Sequence, residues 1–245
     1  MNFIKLENYQ FVRATGPDAI QFLQGQLSCN MDKLSANSTL VGALCNLKGR
    51  VVANFQVAMV DDDCLLRTTS AMADAIIQTL AKYAVFSKVE LSKDESVLQV
   101  FGCIDSDASS YLADKFAVMP EKIGDCVSSD LGTLIRLPGN EVRFELWCRD
   151  AAMIADIENQ TDGSAGPDLW QREDVQAGII HINSDSSEEY TPQLLNYDIS
   201  GVIDFTKGCY TGQEVVARMF YRGKPKKRLF LLASDSPIDS ASELL

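Results

Sequence analysis

Histidine is almost absent from this sequence, and its cysteines are not spaced in pairs. His181 is the single histidine among 245 residues, which excludes most histidine-based metal sites and most nucleophiles activated by a histidine base. The 7 cysteines lie at least 16 residues apart and form no CxxC motif. An odd number of scattered cysteines fits neither a disulfide framework nor a zinc site. We therefore expect no bound metal and a reducing, cytoplasmic environment.

Long apolar runs are missing as well. No stretch approaches the ~20 apolar residues that a membrane-spanning helix needs, and residues 1–7 lack the basic and apolar regions of a signal peptide. We therefore expect no membrane partner. The composition, with 46% hydrophobic and 23% charged residues, is that of a globular protein. A net charge of −12 repels nucleic acid at long range, so any RNA contact has to be local.

Hairpins alternate with short helices along the chain. Residues 39–47 and 51–60 are predicted to pair around a tight turn at Lys48-Gly49-Arg50. Apolar periodicity predicts helices near residues 19–27, 70–84, 107–116, 150–159 and 168–177. Because a βαβ series needs longer helical crossovers, the pattern predicts an α+β fold of antiparallel sheets with flanking helices.

The most specific functional signal lies in residues 204–223. A strand-like run leads into a turn at Lys207, and Thr211 with Glu214 predicts a capping box at the start of a helix. The free N–H groups of a helix start suit an anion or a polar ligand edge. Lys207 would contact such a ligand or remain a solvated turn residue. Gln213 would bond the ligand edge or simply occupy the helix start.

Cys209 is the candidate reactive thiol of this stretch. Lys207 and the following helix start would both favour its thiolate form. Without a histidine base, acyl transfer is not available to it. Redox sensing, transient metal or cluster contact, and persulfide chemistry stay open. The alternative is a small buried residue that closes a turn, which is common for a free cysteine.

The octet from Lys207 to Glu214, K-G-C-Y-T-G-Q-E, resembles the signature of the YgfZ-type folate-binding, tRNA-modifying proteins, which are relatives of the glycine-cleavage T-protein. Further matching motifs are T-G-P-D-A at 15–19, C-N-L-K-G-R at 45–50 and K-Y-A-V-F-S-K-V at 82–89. The resemblance covers residues 5–233. It implies three modules around a central folate-sized cavity, of which the third is a small β-barrel.

This resemblance sets the expected domain organisation. Residues 1–227 are expected to form a T-protein-like folate-binding α+β region. Its two interleaved subdomains would be residues 1–48 with 160–227, and residues 49–159. Residues 228–245 would then be the start of a truncated C-terminal barrel.

The resemblance also implies tetrahydrofolate as the cofactor, with folate contacts carried over to Trp170 and Tyr9. The family more often has tryptophan at the second position, and tyrosine keeps an aromatic face for stacking with less area. From its helix position alone, Trp170 is equally a core residue. His181 is expected to be structural.

An accessory role in tRNA modification follows from the same resemblance, connected to iron–sulfur enzyme maintenance and to control of replication initiation. The implied partners are folate, tRNA and tRNA-modifying iron–sulfur enzymes. One alternative is an aminomethyltransferase, which needs an acid/base carboxylate that no motif identifies. The other is a non-catalytic RNA-binding or scaffold protein.

A basic run continues the signature stretch. It consists of Arg218, Arg222, Lys224, Lys226, Lys227 and Arg228. Such a run is usually a solvated face, but here it adjoins the signature. It would hold the glutamate tail of folate, with Arg218 as a folate-binding residue, or it would touch tRNA phosphates. The acidic net charge favours the folate tail.

Overall fold

The structure, a computed structural model, describes residues 2–161, 163, 166–223 and 227–234. The strands of the described chain are β1 (Phe3–Leu6), β2 (Tyr9–Thr15), β3 (Leu40–Cys45), β4 (Val51–Val60), β5 (Asp63–Thr69), β6 (Glu90–Asp94), β7 (Gln99–Cys103), β8 (Cys126–Ser129), β9 (Gly132–Leu137) and β10 (Arg143–Cys148). The helices are α1 (Ala19–Gln24), α2 (Met72–Ala81), α3 (Ser106–Lys115), α4 (Ala151–Gln160), α5 (Pro167–Gln176) and α6 (Gln213–Arg222). Short 3-10 turns occupy Met31–Lys33 and Ala84–Phe86.

The strands form two sheets of five strands each. The first sheet has the order β3-β4-β5-β2-β6, and the second has the order β1-β7-β10-β9-β8. Every strand pair in both sheets is antiparallel. The predicted α+β fold of antiparallel sheets with flanking helices is therefore confirmed.

The first strand of the chain belongs to the second sheet. β1 pairs with β7 in the second sheet, whereas β2, three residues further on, pairs with β5 and β6 in the first sheet. The sequence alone suggests one continuous strand here, from Leu6 to Ala14. Instead, the chain crosses from one sheet to the other at Glu7 and Asn8 and returns after β6.

This crossover changes the expected subdomain boundaries. A division between residues 48 and 49 falls at the tip of the β3–β4 hairpin, whose strands pair from Leu40 with Val57 to Cys45 with Val51. A continuous antiparallel ladder cannot separate two subdomains, so that boundary is corrected. The sheets instead group residues 9–94 on one side and residues 3–6 with 99–148 on the other.

Apolar side chains fill both the space between the sheets and the outer face of the second sheet. Phe11, Leu65 and Trp147 belong to the core between the sheets. Trp170 of α5 joins this core, and its indole ring lies so close to Gly102 that a Cβ at that position would overlap it. Helices α3 and α4 cover the outer face through residues such as Leu112 and Ile157.

The expected barrel start is described only in part. Residues 229–233, predicted as a strand, form none in the structure, and Phe230 and Leu231 are exposed. The remainder of that segment, residues 235–245, lies outside the described residues. Over the part of the chain that the structure describes, no helix has the length and apolar character to cross a membrane.

Candidate functional site

A cavity of about 500 Å³ lies where the two sheets meet. The first sheet contributes Tyr9, Asn54 and Arg67 to its wall, and the second contributes Arg136 and Glu145. Helix α5 and the segments 29–33, 123–124, 177–181 and 197–204 also contribute to the lining. Its volume is within the range of small-molecule and cofactor sites.

Strand alternation places charged residues of β10 on the inner face of the second sheet. Phe144, Leu146 and Cys148 pack toward α3 and α4, so the alternate positions Arg143 and Glu145 point toward the first sheet. Glu145 is fully buried. In the sequence alone, charged residues at alternate positions of a strand indicate a solvent-exposed face. Here the first sheet packs against that face and buries it.

One oxygen of Glu145 accepts a hydrogen bond from Trp147 and forms an ion pair with Arg67. Its Oε1 accepts from Trp147 Nε1 at 2.5 Å and lies 2.9 Å from Arg67 Nε. Its Oε2 has no hydrogen-bond partner in the described structure. A buried carboxylate oxygen without a donor is costly unless a ligand satisfies it. Trp147, which sequence patterning assigns to packing alone, thus also orients the carboxylate.

Tyr9 forms an aromatic part of the cavity wall, as the family resemblance implies for a folate contact. The guanidinium of Arg67 lies 4.0 Å from the centre of its ring, within the range of a cation–π interaction. Burial raises the pKa of Tyr9 to about 12. The phenol is therefore neutral near pH 7.

A second buried ion pair borders the cavity at α5. Asp174 Oδ1 lies 2.7 Å from Arg143, and its Oδ2 accepts from His181 Nε2 at 2.8 Å. Burial by itself would raise the pKa of Asp174, but the hydrogen bond from His181 and the charge of Arg143 bring it below its ordinary value. His181, which lines the cavity, therefore adjoins the buried ion pair of Asp174 and Arg143.

Trp170 is a core residue rather than a lining residue. It is 2% exposed and packs on Gly102, outside the set of residues that line the cavity. The Arg143 guanidinium lies 4.7 Å from the centre of its ring. Trp170 thus contacts Arg143, the ion-pair partner of the lining residue Asp174, and its direct contact with folate stays a prediction.

Lys207 has a structural environment that differs from the predicted ligand contact. Its Nζ donates to the carbonyl oxygens of Gln24 at 2.7 Å, Leu27 at 2.5 Å and Cys29 at 2.8 Å. These acceptors use all three N–H groups of the ammonium. Burial lowers the pKa of Lys207 to about 8, and the three carbonyls favour the charged form. The side chain therefore anchors the signature loop to the backbone of residues 24–29.

The predicted capping box is wrong. The residue that precedes α6 is Gly212, with a positive φ of 83°, and no side chain caps the helix. Thr211 Oγ1 instead donates to Gln26 at 2.8 Å, while Glu214 is exposed and pairs with Arg218 at 2.7 Å. A Cβ at Gly212 would overlap the carbonyl oxygen of Asn46, so glycine is required where the helix start meets the hairpin tip.

The remaining signature residues lie away from the cavity. Gln213, Arg218 and Cys209 are not among the lining residues. Cys209 is the exposed member of seven free cysteines, and the other six are buried. The Lys207 ammonium points to backbone carbonyls, so its predicted support of a Cys209 thiolate has no direct geometric basis. The exposed position makes the thiol accessible to a partner or reagent.

The basic run is partly neutralised by local ion pairs. Arg228 makes a two-point contact with Asp198 at 2.8 and 2.7 Å, and Arg218 pairs with Glu214. Arg222 and Lys227 are exposed, whereas Lys224 and Lys226 lie outside the described residues. The cations on the cavity wall are instead Lys33, Arg67 and Arg136.

Comparison with solved structures defines the class of fold. The chain aligns with the crystal structure of the glycine cleavage system aminomethyltransferase T from Bartonella henselae with a TM-score of 0.73 and 16% sequence identity. The match covers 91% of this chain and spans 63% of the length of that structure. The fold is therefore that of the aminomethyltransferase T-protein.

Curated relatives give the family. The chain is 31% identical over 231 residues to the tRNA-modifying protein YgfZ of Colwellia psychrerythraea, covering 94% of this chain and 71% of that protein. It is 32% identical to the YgfZ protein of Cronobacter sakazakii, with 95% and 71% covered, and 30% identical to that of Photorhabdus laumondii, with 96% and 72% covered. No protein-family model matches the chain. On these relatives, the chain belongs to the YgfZ family of tRNA-modifying proteins.

Proposed function

We propose that this protein binds a reduced folate, tetrahydrofolate, in the cavity between its two sheets and acts as an accessory protein in tRNA modification. Membership of the YgfZ family and the T-protein fold support this function. The observation that carries it is Glu145, a fully buried carboxylate that lines the cavity and leaves Oε2 without a donor.

The pterin ring of a folate suits this wall. Its 2-aminopyrimidinone edge carries adjacent N–H donors, and an ionised carboxylate accepts such donors strongly. The low effective dielectric of a buried site strengthens the interaction. Tyr9, in contact with Arg67, would stack its ring on the planar pyrimidinone ring of the pterin. The free Oε2 atom thereby obtains the partner that the protein itself does not provide.

Two cations on the same cavity wall would bind the glutamate tail of folate. Lys33 and Arg136 line the cavity, and the Lys33 side chain is 60% exposed. Its partner Asp204, at 2.6 Å, would have to exchange with a ligand carboxylate. We therefore assign tail recognition to Lys33 and Arg136 in place of Arg218, which lies outside the lining.

Tetrahydrofolate binding by a Glu145→Gln variant, measured by calorimetry, tests this proposal. Loss of a hydrogen bond to a charged acceptor costs about 1.5–3 kcal/mol, so the affinity is expected to fall about 10- to 150-fold. The exposed Glu214→Gln is the matched control and should bind like the wild type. Equal affinities for the two variants would contradict the role of Glu145. No binding by the wild type would refute the folate proposal and favour the scaffold alternative.

The glutamine is isosteric, but it leaves the Arg67 guanidinium without its buried anion. Urea unfolding of both variants therefore accompanies the titration, so that weaker binding is attributed to the site only where the variant is folded. Should Glu145→Gln not fold, Tyr9→Ala tests the same wall from the first sheet and should also weaken binding.

The tRNA role is a separate part of the proposal. The curated relatives are named for tRNA modification, and Cys209 provides an accessible thiol. Free cysteines throughout the chain support a reducing cytoplasm as the location. Service to iron–sulfur enzymes and a link to replication initiation are proposed from the family resemblance. Mass spectrometry of tRNA nucleosides tests the role: cells relying on Cys209→Ser should lack a modification that wild-type cells contain.

An aminomethyltransferase is the alternative that one observation favours. The chemistry needs a carboxylate near the transferred carbon, and the cavity wall contains Glu145 and Asp174. Both are engaged by arginines, at 2.9 and 2.7 Å, which makes an accessory binding role the better fit. Release of ammonia from an aminomethyl donor in the presence of tetrahydrofolate would establish the transferase.

A further inference from the structure

His181 lies on the cavity wall and is held from one side of its ring. Its Nε2 donates to Asp174 Oδ2 at 2.8 Å, while Nδ1 has no hydrogen-bond partner among the described residues. The side chain is 31% exposed and lines the cavity. Nδ1, on the edge of the ring opposite Asp174, is therefore available to a bound molecule.

The buried carboxylate fixes the chemistry of that free nitrogen. Asp174 is 4% exposed, and Arg143, which is 1% exposed, holds its other oxygen at 2.7 Å. A carboxylate in this position stays ionised and keeps the proton of the neutral imidazole on Nε2. Nδ1 of the neutral ring is then a hydrogen-bond acceptor. The sequence alone indicates a structural role for His181 because it follows the apolar run from Gly178 to Ile180.

The charged groups around the ring have a net positive charge without His181. The Tyr9 ring lies 5.8 Å from His181, centre to centre, and its phenol is neutral. The ion pairs Arg67–Glu145 and Arg143–Asp174 each sum to zero. The other charged residues of the cavity lining are Lys33, Asp204 and Arg136. Of these groups, the Asp174 carboxylate contacts His181 directly.

We propose that His181 is a specificity-determining ligand contact of the cavity, whose neutral Nδ1 accepts a hydrogen bond from an N–H group of a bound nitrogen heterocycle. The inference rests on the proposed function, since the heterocycle is taken to be the pterin of a reduced folate.

Binding of 5-formyltetrahydrofolate, a chemically stable reduced folate, measured by calorimetry at pH 8, tests the inference. His181→Phe removes the acceptor and should bind about threefold to tenfold more weakly than the wild type. His181→Gln keeps an amide oxygen as an acceptor, so its affinity should lie closer to that of the wild type than that of His181→Phe does.

Asp185→Asn, a charge change in the exposed loop that follows His181, is the matched control and should bind like the wild type. Thermal melting of each variant confirms that it is folded, which is expected because His181 is partly exposed. A folded His181→Phe variant that binds as tightly as the wild type overturns the inference and leaves the folate proposal standing. No binding by the wild type overturns both.

Discussion

Replacing Lys207 with methionine separates the structural role of this residue from the ligand contact that its motif suggests. Methionine keeps much of the length and apolar volume of the side chain but donates no hydrogen bond. The three carbonyls of Gln24, Leu27 and Cys29 then lose their donor at a site that is 8% exposed at the lysine. At the lower limit of about 1 kcal/mol for each unsatisfied acceptor, the free energy of unfolding falls by about 3 kcal/mol.

Urea unfolding and thermal melting measure this loss. For a chain of this size, about 3 kcal/mol corresponds to a decrease of about 6–12 °C in Tm. Lys33→Met is the control, because that side chain is 60% exposed and makes one ion pair, with Asp204. A partly exposed pair of this kind contributes about 1 kcal/mol or less.

Two results would refute the structural role. One is a Lys207→Met variant as stable as the Lys33→Met control. The other is a variant of wild-type stability that no longer binds tetrahydrofolate, which would restore the ligand role predicted from the signature. The expected outcome is reduced stability with folate affinity retained under conditions where the variant is folded.

Two further changes test the surroundings of the signature loop. Gly212→Ala forces a non-glycine residue into a positive φ of 83° and should lower the free energy of unfolding by at least about 1–2 kcal/mol, measured in urea; unchanged stability would contradict the strain at this position. The hydrogen bond from Lys33, with those from Thr206, lowers the pKa of Asp204 from 3.8 to about 2, so its contribution to stability is complete above pH 3.8 and disappears as the pH falls through 2. Asp204→Asn should therefore be less stable than the wild type at pH 6 and equal to it below pH 2, and a constant difference across that range would disprove the assignment.

Local sequence patterns were sufficient for the class of fold. The hairpin at 39–60 and the helices at 107–116 and 150–159 follow from period and turn chemistry that act over a few residues. The division of residues 3–15 into strands of two different sheets does not follow, since both halves are short strands with apolar residues and only Glu7 and Asn8 separate them. Only the pairing with β7, about 100 residues away, decides it.

Local sequence patterns were less informative about the candidate site than about the fold. Family resemblance pointed to Tyr9, which lines the cavity, and to the signature loop, whose lysine and threonine prove to hold backbone and side chains in place. Glu145 and Asp174 were missed because a charged residue in an amphipathic strand or helix normally faces solvent. Their burial depends on the packing of the second sheet and α5 against the first sheet, which no short motif encodes.

The pairing of β1 within the second sheet determines the order in which the two sheets can form during synthesis on the ribosome. A nascent chain generally folds from its N-terminus, yet Phe3, Ile4 and Leu6 have no partner until Gln99–Cys103 has emerged. The first sheet, confined to residues 9–94, is complete before that point. The cavity wall requires the still later segment 197–204. The apolar strand β1 therefore stays unpaired until β7 has been synthesised. The cavity can bind a ligand only after residues 197–204 have been synthesised as well.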